Sequence, residues 1–174
     1  TLTSAQQRST RELLVDIQST TPMNRLLLGD VGSGKTVVAG IATLHTLNNN
    51  HHVAFIAPTQ ILAEQHLETL SKLFPQINIQ LLTAKTKFSL AEKPTLYLGT
   101  HAVINKLQQI KPALVIYDEQ HRFGVEQRSE ISKLTFRPHI LTMSATPIPR
   151  SLMLTIFSHL ELSVIDEMPA GRKP

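Results

Sequence analysis

The chain has 174 residues, 41% of them hydrophobic and 17% charged, with a formal net charge of +4, which suits one globular domain rather than a disordered chain. No apolar run reaches the roughly 18–20 residues that a membrane-spanning helix needs, and the lack of cysteine excludes disulfides and thiolate metal sites and suits the cytoplasm. The modest positive charge permits an anionic partner such as nucleic acid without requiring one.

Short apolar runs alternate with helix-like segments along the chain. Predicted strands cover 25–29, 53–57, 77–82, 95–99, 113–119, 139–146 and 162–166. Predicted helices cover 34–47, 60–74 and 150–157. The strands are nearly continuous runs of Val, Ile and Leu, a pattern typical of strands buried on both faces of a parallel sheet. We therefore predict an α/β fold, with a doubly wound, mainly parallel sheet and helices on both faces.

Polar motifs directly follow several of these apolar runs. They are GDVGSGKT (29–36), APTQ (57–60), GTH (99–101), DEQH (118–121) and SATP (144–147). Ligands of open α/β sheets bind at the carboxyl ends of the strands. We therefore expect the motifs to gather at one edge of the sheet and to form one site.

The first of these motifs fits the phosphate-binding pattern G-x-x-x-x-G-K-[ST]. Its fixed positions are Gly29, Gly34, Lys35 and Thr36. Gly32 and Gly34 let the backbone around Ser33 approach phosphate oxygens, and the N–H groups of the loop and of the following helix supply partial positive charge. Lys35 can reach the β- and γ-phosphates, and the Thr36 hydroxyl can ligate Mg²⁺. The motif predicts a nucleoside triphosphate with Mg²⁺ as cofactor.

A pair of acids, Asp118 and Glu119, follows the apolar run ALVIY. Asp118 is placed to hold Mg²⁺, directly or through water, and Glu119 can orient and deprotonate an attacking water. Adjacent acids after a strand are uninformative alone, but the phosphate loop upstream favours catalysis. The predicted reaction is phosphoryl transfer from the nucleotide to water. A GTPase is not indicated, because the chain has no Asn-Lys-x-Asp motif.

The remaining motifs allow both a functional and a structural interpretation. The hydroxyls of SAT (144–146) suit sensing of the γ-phosphate, but Ser and Thr after a strand are equally typical of an ordinary turn. Backbone N–H groups and Thr hydroxyls in PTQ (58–60) and GTH (99–101) suit sugar–phosphate contacts, which position a nucleic acid without reading its sequence. Gln6 can bond to an adenine edge.

Taken in order, these segments resemble the RecG family of superfamily 2 DNA helicases over essentially the whole chain. The matching segments are LTSAQ, PMNRLLLGDVGSGKT, APTQILAEQH, GTHAVI, VIYDEQHRFGVEQR, MSATPIPRSLMLTIF and IDEMPAGRKP. The resemblance implies a single RecA-like ATP-binding domain over 1–174, cut from a longer protein whose second motor domain and DNA wedge domain lie outside it. It also implies ATP hydrolysis with Mg²⁺ and binding of branched or duplex DNA without base specificity. We therefore expect a cytoplasmic, nucleoid-associated bacterial protein with no membrane contact that remodels stalled forks and Holliday junctions.

The same resemblance implies roles for individual residues. Gln6 matches the adenine-recognising glutamine, and Asp118 and Glu119 match the Mg²⁺-binding and water-activating acids. The residues that couple hydrolysis to DNA movement are matched by His121, Ser144, Ala145 and Thr146. The DNA path is matched by Pro58, Thr59, Gly99, Thr100 and His101. Arg150 belongs to a family motif, but the resemblance implies no role for it.

The chain departs from the family pattern mainly in a shortened stretch from 83 to 98, where Ala84 stands in place of a usual glycine. The related transcription–repair coupling translocases remain an alternative, although His121 favours RecG. A nucleotide-gated DNA-binding module is the other alternative. We expect the isolated domain to bind ATP weakly and hydrolyse it slowly, because the transition state usually needs an arginine finger, which would come from a second motor domain.

Overall fold

Seven parallel strands form one sheet in the computed structural model, which describes residues 1–118, 126–146 and 160–169. The strands are β1 (Asn24–Gly29), β2 (Val53–Ile56), β3 (Ile79–Leu82), β4 (Leu96–Gly99), β5 (Leu114–Asp118), β6 (His139–Ser144) and β7 (Glu161–Ile165). The helices in these ranges are α1 (Ser4–Ile17), α2 (Lys35–Asn48), α3 (Gln60–Leu73), α4 (His101–Ile104), α5 (Leu107–Ile110) and α6 (Glu126–Ser132). The predicted helix over 150–157 lies outside the described residues.

The strand order is β3-β4-β2-β5-β6-β1-β7, and every neighbouring pair is parallel. All seven predicted strands are present, with ends that differ from the prediction by one or two residues in most cases. Each helix in the described ranges is too short or too polar to span a bilayer.

Successive residues of the central strands enter two different cores. On one side of the sheet, Phe55 and Ile116 pack with residues of α1, α2 and α3. On the other side, Ile56 and Tyr117 pack with residues of α4, α5 and α6. Because both faces are covered, both sets of side chains must be apolar, which explains the unbroken apolar runs. The predicted fold class is confirmed.

Helix α1 was not predicted from the sequence, because the segment is mostly polar. Its start carries a capping box, in which the Thr3 hydroxyl accepts from the Gln6 N–H at 3.2 Å and the Gln6 side chain accepts from the Thr3 N–H at 3.0 Å. Farther along, the Arg25 guanidinium of β1 pairs with Asp16 at 2.8 Å and donates to Ser163 of β7 at 2.9 Å. The Thr-x-x-Gln spacing is the local signal that could have located this helix.

Acid is expected to destabilise the fold through His139, the first residue of β6. This half-buried ring accepts a hydrogen bond from the Met23 N–H at 2.9 Å through Nδ1. Burial lowers the pKa of His139, and nearby Asp16 opposes this only partly. Below a pH of about 6.5 the unfolded chain takes up a proton that the folded state resists, so stability is complete above that pH and falls beneath it.

Urea unfolding between pH 7.5 and pH 5.5 measures this effect. We expect His139→Gln to lose less stability on acidification than the unaltered chain does. The matched control is His51→Gln, because His51 is exposed. An identical pH dependence in the His139 variant and the unaltered chain would contradict the prediction.

Candidate functional site

The carboxyl ends of the strands lie at one edge of the sheet, because all the strand pairs are parallel. Strand β6 lies between β5 and β1, so Asp118 and the loop after Gly29 flank the end of β6. In the register of the sheet, Asp118 of β5 pairs with Met143 of β6, and Met143 pairs with Leu27 of β1. Two strand spacings, roughly 10 Å, therefore separate the backbone of Asp118 from that of β1. The expected clustering of motifs at one edge follows from this topology.

The loop between β1 and α2 has a left-handed backbone at two glycines. Gly32 has φ of 84° and Gly34 has φ of 91°, a region that other residues enter only with strain. A Cβ on Gly34 would also overlap the side-chain amide of Gln6, and one on Gly29 would overlap the Ser33 hydroxyl. These contacts explain why glycine occupies these positions: the loop closes tightly on itself.

Lys35 opens α2 directly after this loop and is buried. Its Nζ donates to the carbonyl oxygens of Gly29 at 2.6 Å and Asp30 at 3.1 Å. The ammonium is therefore held against the loop rather than directed into solvent. Thr36 is half-buried and lies in the first turn of α2, directly after Lys35.

Gln6 connects α1 to the same loop. Its side chain is buried, and its Nε2 donates to the Ser33 carbonyl at 2.7 Å. The amide oxygen, Oε1, accepts a hydrogen bond from the Thr3 N–H. Gln6 therefore lies beside the phosphate loop, at the place where the nucleotide is expected. Both the nitrogen and the oxygen of its side-chain amide form hydrogen bonds with the protein. Its predicted contact with adenine stays a prediction.

Asp118 ends β5 with a carboxylate that is almost fully buried, and His66 of α3 contacts it. The His66 Nε2 forms a hydrogen bond with Asp118 Oδ2. The His66 ring also packs on Phe55 of β2, with 4.7 Å between ring centroids. Sequence reasoning missed His66. The signal was present, because Ala63, His66 and Leu70 recur at helical spacing, which places a polar ring on the buried stripe of α3.

The SAT segment lies at the end of β6, between the phosphate loop and Asp118. Ser144 is buried, and its hydroxyl lies 3.1 Å from the Thr146 hydroxyl and accepts from the Thr146 N–H at 3.2 Å. Ala145 is half-buried. The hydrogen bonds between Ser144 and Thr146 are those of an ordinary turn, but this turn lies between the loop after β1 and Asp118. The role of this segment in coupling stays a prediction.

The residues predicted to line the DNA path lie at the same edge, after β2 and β4. Thr59 is exposed and caps α3, accepting from the Leu62 N–H at 3.2 Å. Gly99 is buried, and a Cβ there would overlap the Leu82 carbonyl oxygen of β3, so close strand packing explains this glycine. Pro58 and Thr100 are half-buried, and His101 is exposed. Their contacts with DNA stay predictions.

The shortened stretch 83–98 lies beside a cavity of about 330 Å³. The Thr83 and Thr86 hydroxyls lie 2.8 Å apart in a tight turn on its wall. Lys106 borders the cavity and lies over the Phe88 ring, 5.4 Å from its centroid. Glu119, His121 and Arg150 lie outside the described residues.

A model of the DEAD/DEAH box helicase family matches residues 3–155 of the chain. The chain belongs to this family.

Among curated DEAD/DEAH box relatives, the chain is 48% identical over 185 residues to the ATP-dependent DNA helicase RecG of Streptococcus pneumoniae. It is 47% identical over 184 residues to that of Bacillus subtilis. Each match covers 99% of this chain and 27% of the relative, so the chain spans about a quarter of their length. The predicted resemblance to RecG is confirmed.

Solved structures of helicases agree with this assignment. A structure of RecG bound to a three-way DNA junction matches with a TM-score of 0.82 and 41% identity, covering 99% of this chain and 25% of that one. The UvsW helicase of bacteriophage T4 matches with a TM-score of 0.70 at 18% identity, over 94% of this chain and 60% of that one, which supports the helicase fold alone.

The residues at the strand-end edge fit a nucleoside triphosphate with Mg²⁺. The buried Ser33 hydroxyl in the loop has no hydrogen-bond partner within the described ranges. The left-handed glycines give the loop a backbone conformation in which successive N–H groups can bind phosphate oxygens. The Thr36 hydroxyl and the Asp118 carboxylate are oxygen ligands of the kind that Mg²⁺ prefers. The family's use of a nucleotide thus agrees with the chemistry of these residues.

Proposed function

We propose that this chain is the ATP-binding motor domain of a RecG-type DNA helicase, which remodels branched DNA in recombination and repair by hydrolysing ATP. The observation that carries the proposal is the placement of the phosphate loop and Asp118 on either side of one strand end. The names of the relatives and the three-way junction in the RecG structure support the choice of DNA as substrate. The working location would be the bacterial nucleoid.

The nucleotide is bound mainly by the loop after β1. The loop N–H groups and the start of α2 offer partial positive charge to the phosphates. Lys35 exchanges its contacts with the carbonyls of Gly29 and Asp30 for contacts with the β- and γ-phosphates. When bound, Mg²⁺ neutralises charge on the phosphates, with the Thr36 hydroxyl and the Asp118 carboxylate as its protein ligands.

Hydrolysis requires a water molecule aligned with the γ-phosphate. In this proposal Glu119 orients that water and accepts its proton, as a carboxylate beside the Mg²⁺-binding acid can do. A second motor domain of the same protein supplies the arginine that stabilises the transition state, worth roughly 10³–10⁵ in rate. This chain by itself would then bind ATP weakly and turn it over slowly.

The DNA is held across the segments after β2 and β4. The N–H groups and hydroxyls there bind sugar and phosphate, so binding tolerates any sequence and weakens with salt. His121 and the SAT segment would couple the presence or loss of the γ-phosphate to changes in these DNA contacts. Because Ser144 lies between the nucleotide loop and Asp118, the SAT segment is well located for that task.

The experiment that tests the function is ATP turnover by the full-length protein with and without a three-way DNA junction. We expect junction DNA to stimulate hydrolysis, and Glu119→Gln to lower kcat by about 10²-fold or more while nucleotide binding persists. Gln65→Glu, a change at an exposed position of α3, is the matched control. If the unaltered protein binds ATP and DNA but shows no turnover, a nucleotide-gated binding module is the better description.

A further inference from the structure

The contact between His66 and Asp118 joins two parts of the chain that are 52 residues apart. The His66 side chain is 12% exposed and the Asp118 side chain 8% exposed, so both groups are largely removed from water. The Phe55 ring supports the imidazole from β2. Histidine is an unusual choice for this stripe of α3, where Ala63 and Leu70 are apolar and buried.

A buried carboxylate needs partners that fix its direction. An imidazole N–H directed at Asp118 Oδ2 satisfies one oxygen and restricts rotation of the carboxylate about its last bond. The other oxygen then keeps a defined direction for a cation or its bound water. An apolar residue at position 66 would fill the same space but would leave Asp118 without this restraint.

We infer that His66 is a positioning residue for the Mg²⁺ site, which holds the Asp118 carboxylate in its binding orientation and fixes α3 relative to that carboxylate. This inference rests on the proposed function, because it takes Asp118 as the acid that holds Mg²⁺. It adds a residue from the helix after β2 to a site otherwise built from the loop after β1 and the end of β5. Thr59, at the start of the same helix, lies about 10 Å from His66 along the helix axis.

The test measures binding rather than turnover alone. Fluorescent ATP analogue is titrated into full-length protein over a range of Mg²⁺ concentrations, and the Mg²⁺ concentration that gives half of the full binding signal is recorded. We expect His66→Leu to raise that concentration by about 10-fold or more, because loss of a group that orients a metal ligand typically costs 10–100-fold in affinity. His66→Gln should largely restore the unaltered value, because its Nε2 can donate from nearly the same place.

The matched control is Glu68→Gln on the same helix. Glu68 is exposed and pairs only with Lys72 one turn later in the described structure, so the change should leave the Mg²⁺ dependence unaltered. Thermal unfolding of each variant checks its folding, and His66→Met replaces His66→Leu if the latter does not fold. Steady-state kinetics add a second measure: extra Mg²⁺ should recover the KM for ATP in the His66→Leu protein.

Asp118→Ala separates failure of the inference from failure of the proposed function. If Asp118→Ala removes the Mg²⁺ dependence and His66→Leu leaves it unchanged, the inference about His66 is overturned and the proposed function stands. If Asp118→Ala itself leaves the Mg²⁺ dependence unchanged, the assignment of Asp118 is wrong and both fail. Equal losses in His66→Leu and His66→Gln would also overturn the inference, since hydrogen bonding would then be irrelevant.

Discussion

Replacement of Lys35 by alanine is expected to abolish ATP-dependent activity and to weaken nucleotide binding by at least 10²-fold. Lys35 is the first residue of α2, and the carbonyl oxygens of Gly29 and Asp30 hold its ammonium group against the loop. Two adjacent phosphates carry several negative charges, and a cation at a largely buried position is worth far more to them than one in water.

The measurement is binding of a fluorescent nucleotide and DNA-stimulated turnover in the full-length protein. Lys93→Ala is the matched control, because Lys93 is exposed and lies in the turn before β4. We expect the control to behave like the unaltered protein and the Lys35 variant to remain folded, because the bonds of the ammonium to Gly29 and Asp30 lie within the loop rather than in either core. Nucleotide binding that survives Lys35→Ala would contradict the assignment of the phosphate loop.

Gly34→Ala is expected to have the second largest effect, because it acts on the shape of the loop itself. The backbone at Gly34 has φ of 91°, and a side chain there costs about 1–2 kcal/mol in the left-handed region. The new Cβ would also displace the Gln6 amide from its bonds to Ser33 and Thr3, each worth about 1 kcal/mol. We expect a destabilisation of about 2–4 kcal/mol and loss of most nucleotide affinity.

A double variant distinguishes the two causes. Gln6→Ala removes the side chain that the new Cβ would meet, but it leaves the backbone strain at Gly34. We therefore expect Gly34→Ala combined with Gln6→Ala to lose less stability than the sum of the single changes, as measured by urea unfolding. Full additivity would show that the overlap with Gln6 has no part in the effect, and an unchanged stability in Gly34→Ala would contradict the strain argument.

The phosphate loop illustrates what could be predicted without the structure. Its glycines, lysine and threonine fall within eight consecutive residues, so their spacing alone predicts a phosphate-binding turn. The strands were equally accessible, because a strand covered on both faces is mostly apolar, and such runs are visible in the sequence. Parallel pairing was then predicted from the helices that separate successive strands such as β1, β2 and β3.

Helix α1 and Gln6 show where prediction from the sequence ended. The helix is held by Arg25 of β1 and Ser163 of β7, and by a capping box whose Gln6 reaches the loop at Ser33. The contacts of Gln6 with Ser33 and of Glu12 with Ser163 join segments 27 and 151 residues apart, and the helix itself is mostly polar. Gln6 could therefore be given a role only by family resemblance, whereas its position beside the loop came from the fold.

The sequence by itself determined the parallel α/β class, the glycine-rich loop after β1 and the position of an acid at the end of β5, because each depends on residue patterns within short segments. Only the tertiary structure decided the order of the strands, which places β6 between the loop and Asp118, and the contact of His66 with Asp118. The physical reason is that strand order and side-chain contacts depend on the packing of segments far apart in the chain. Local periodicity carries no information about such distances.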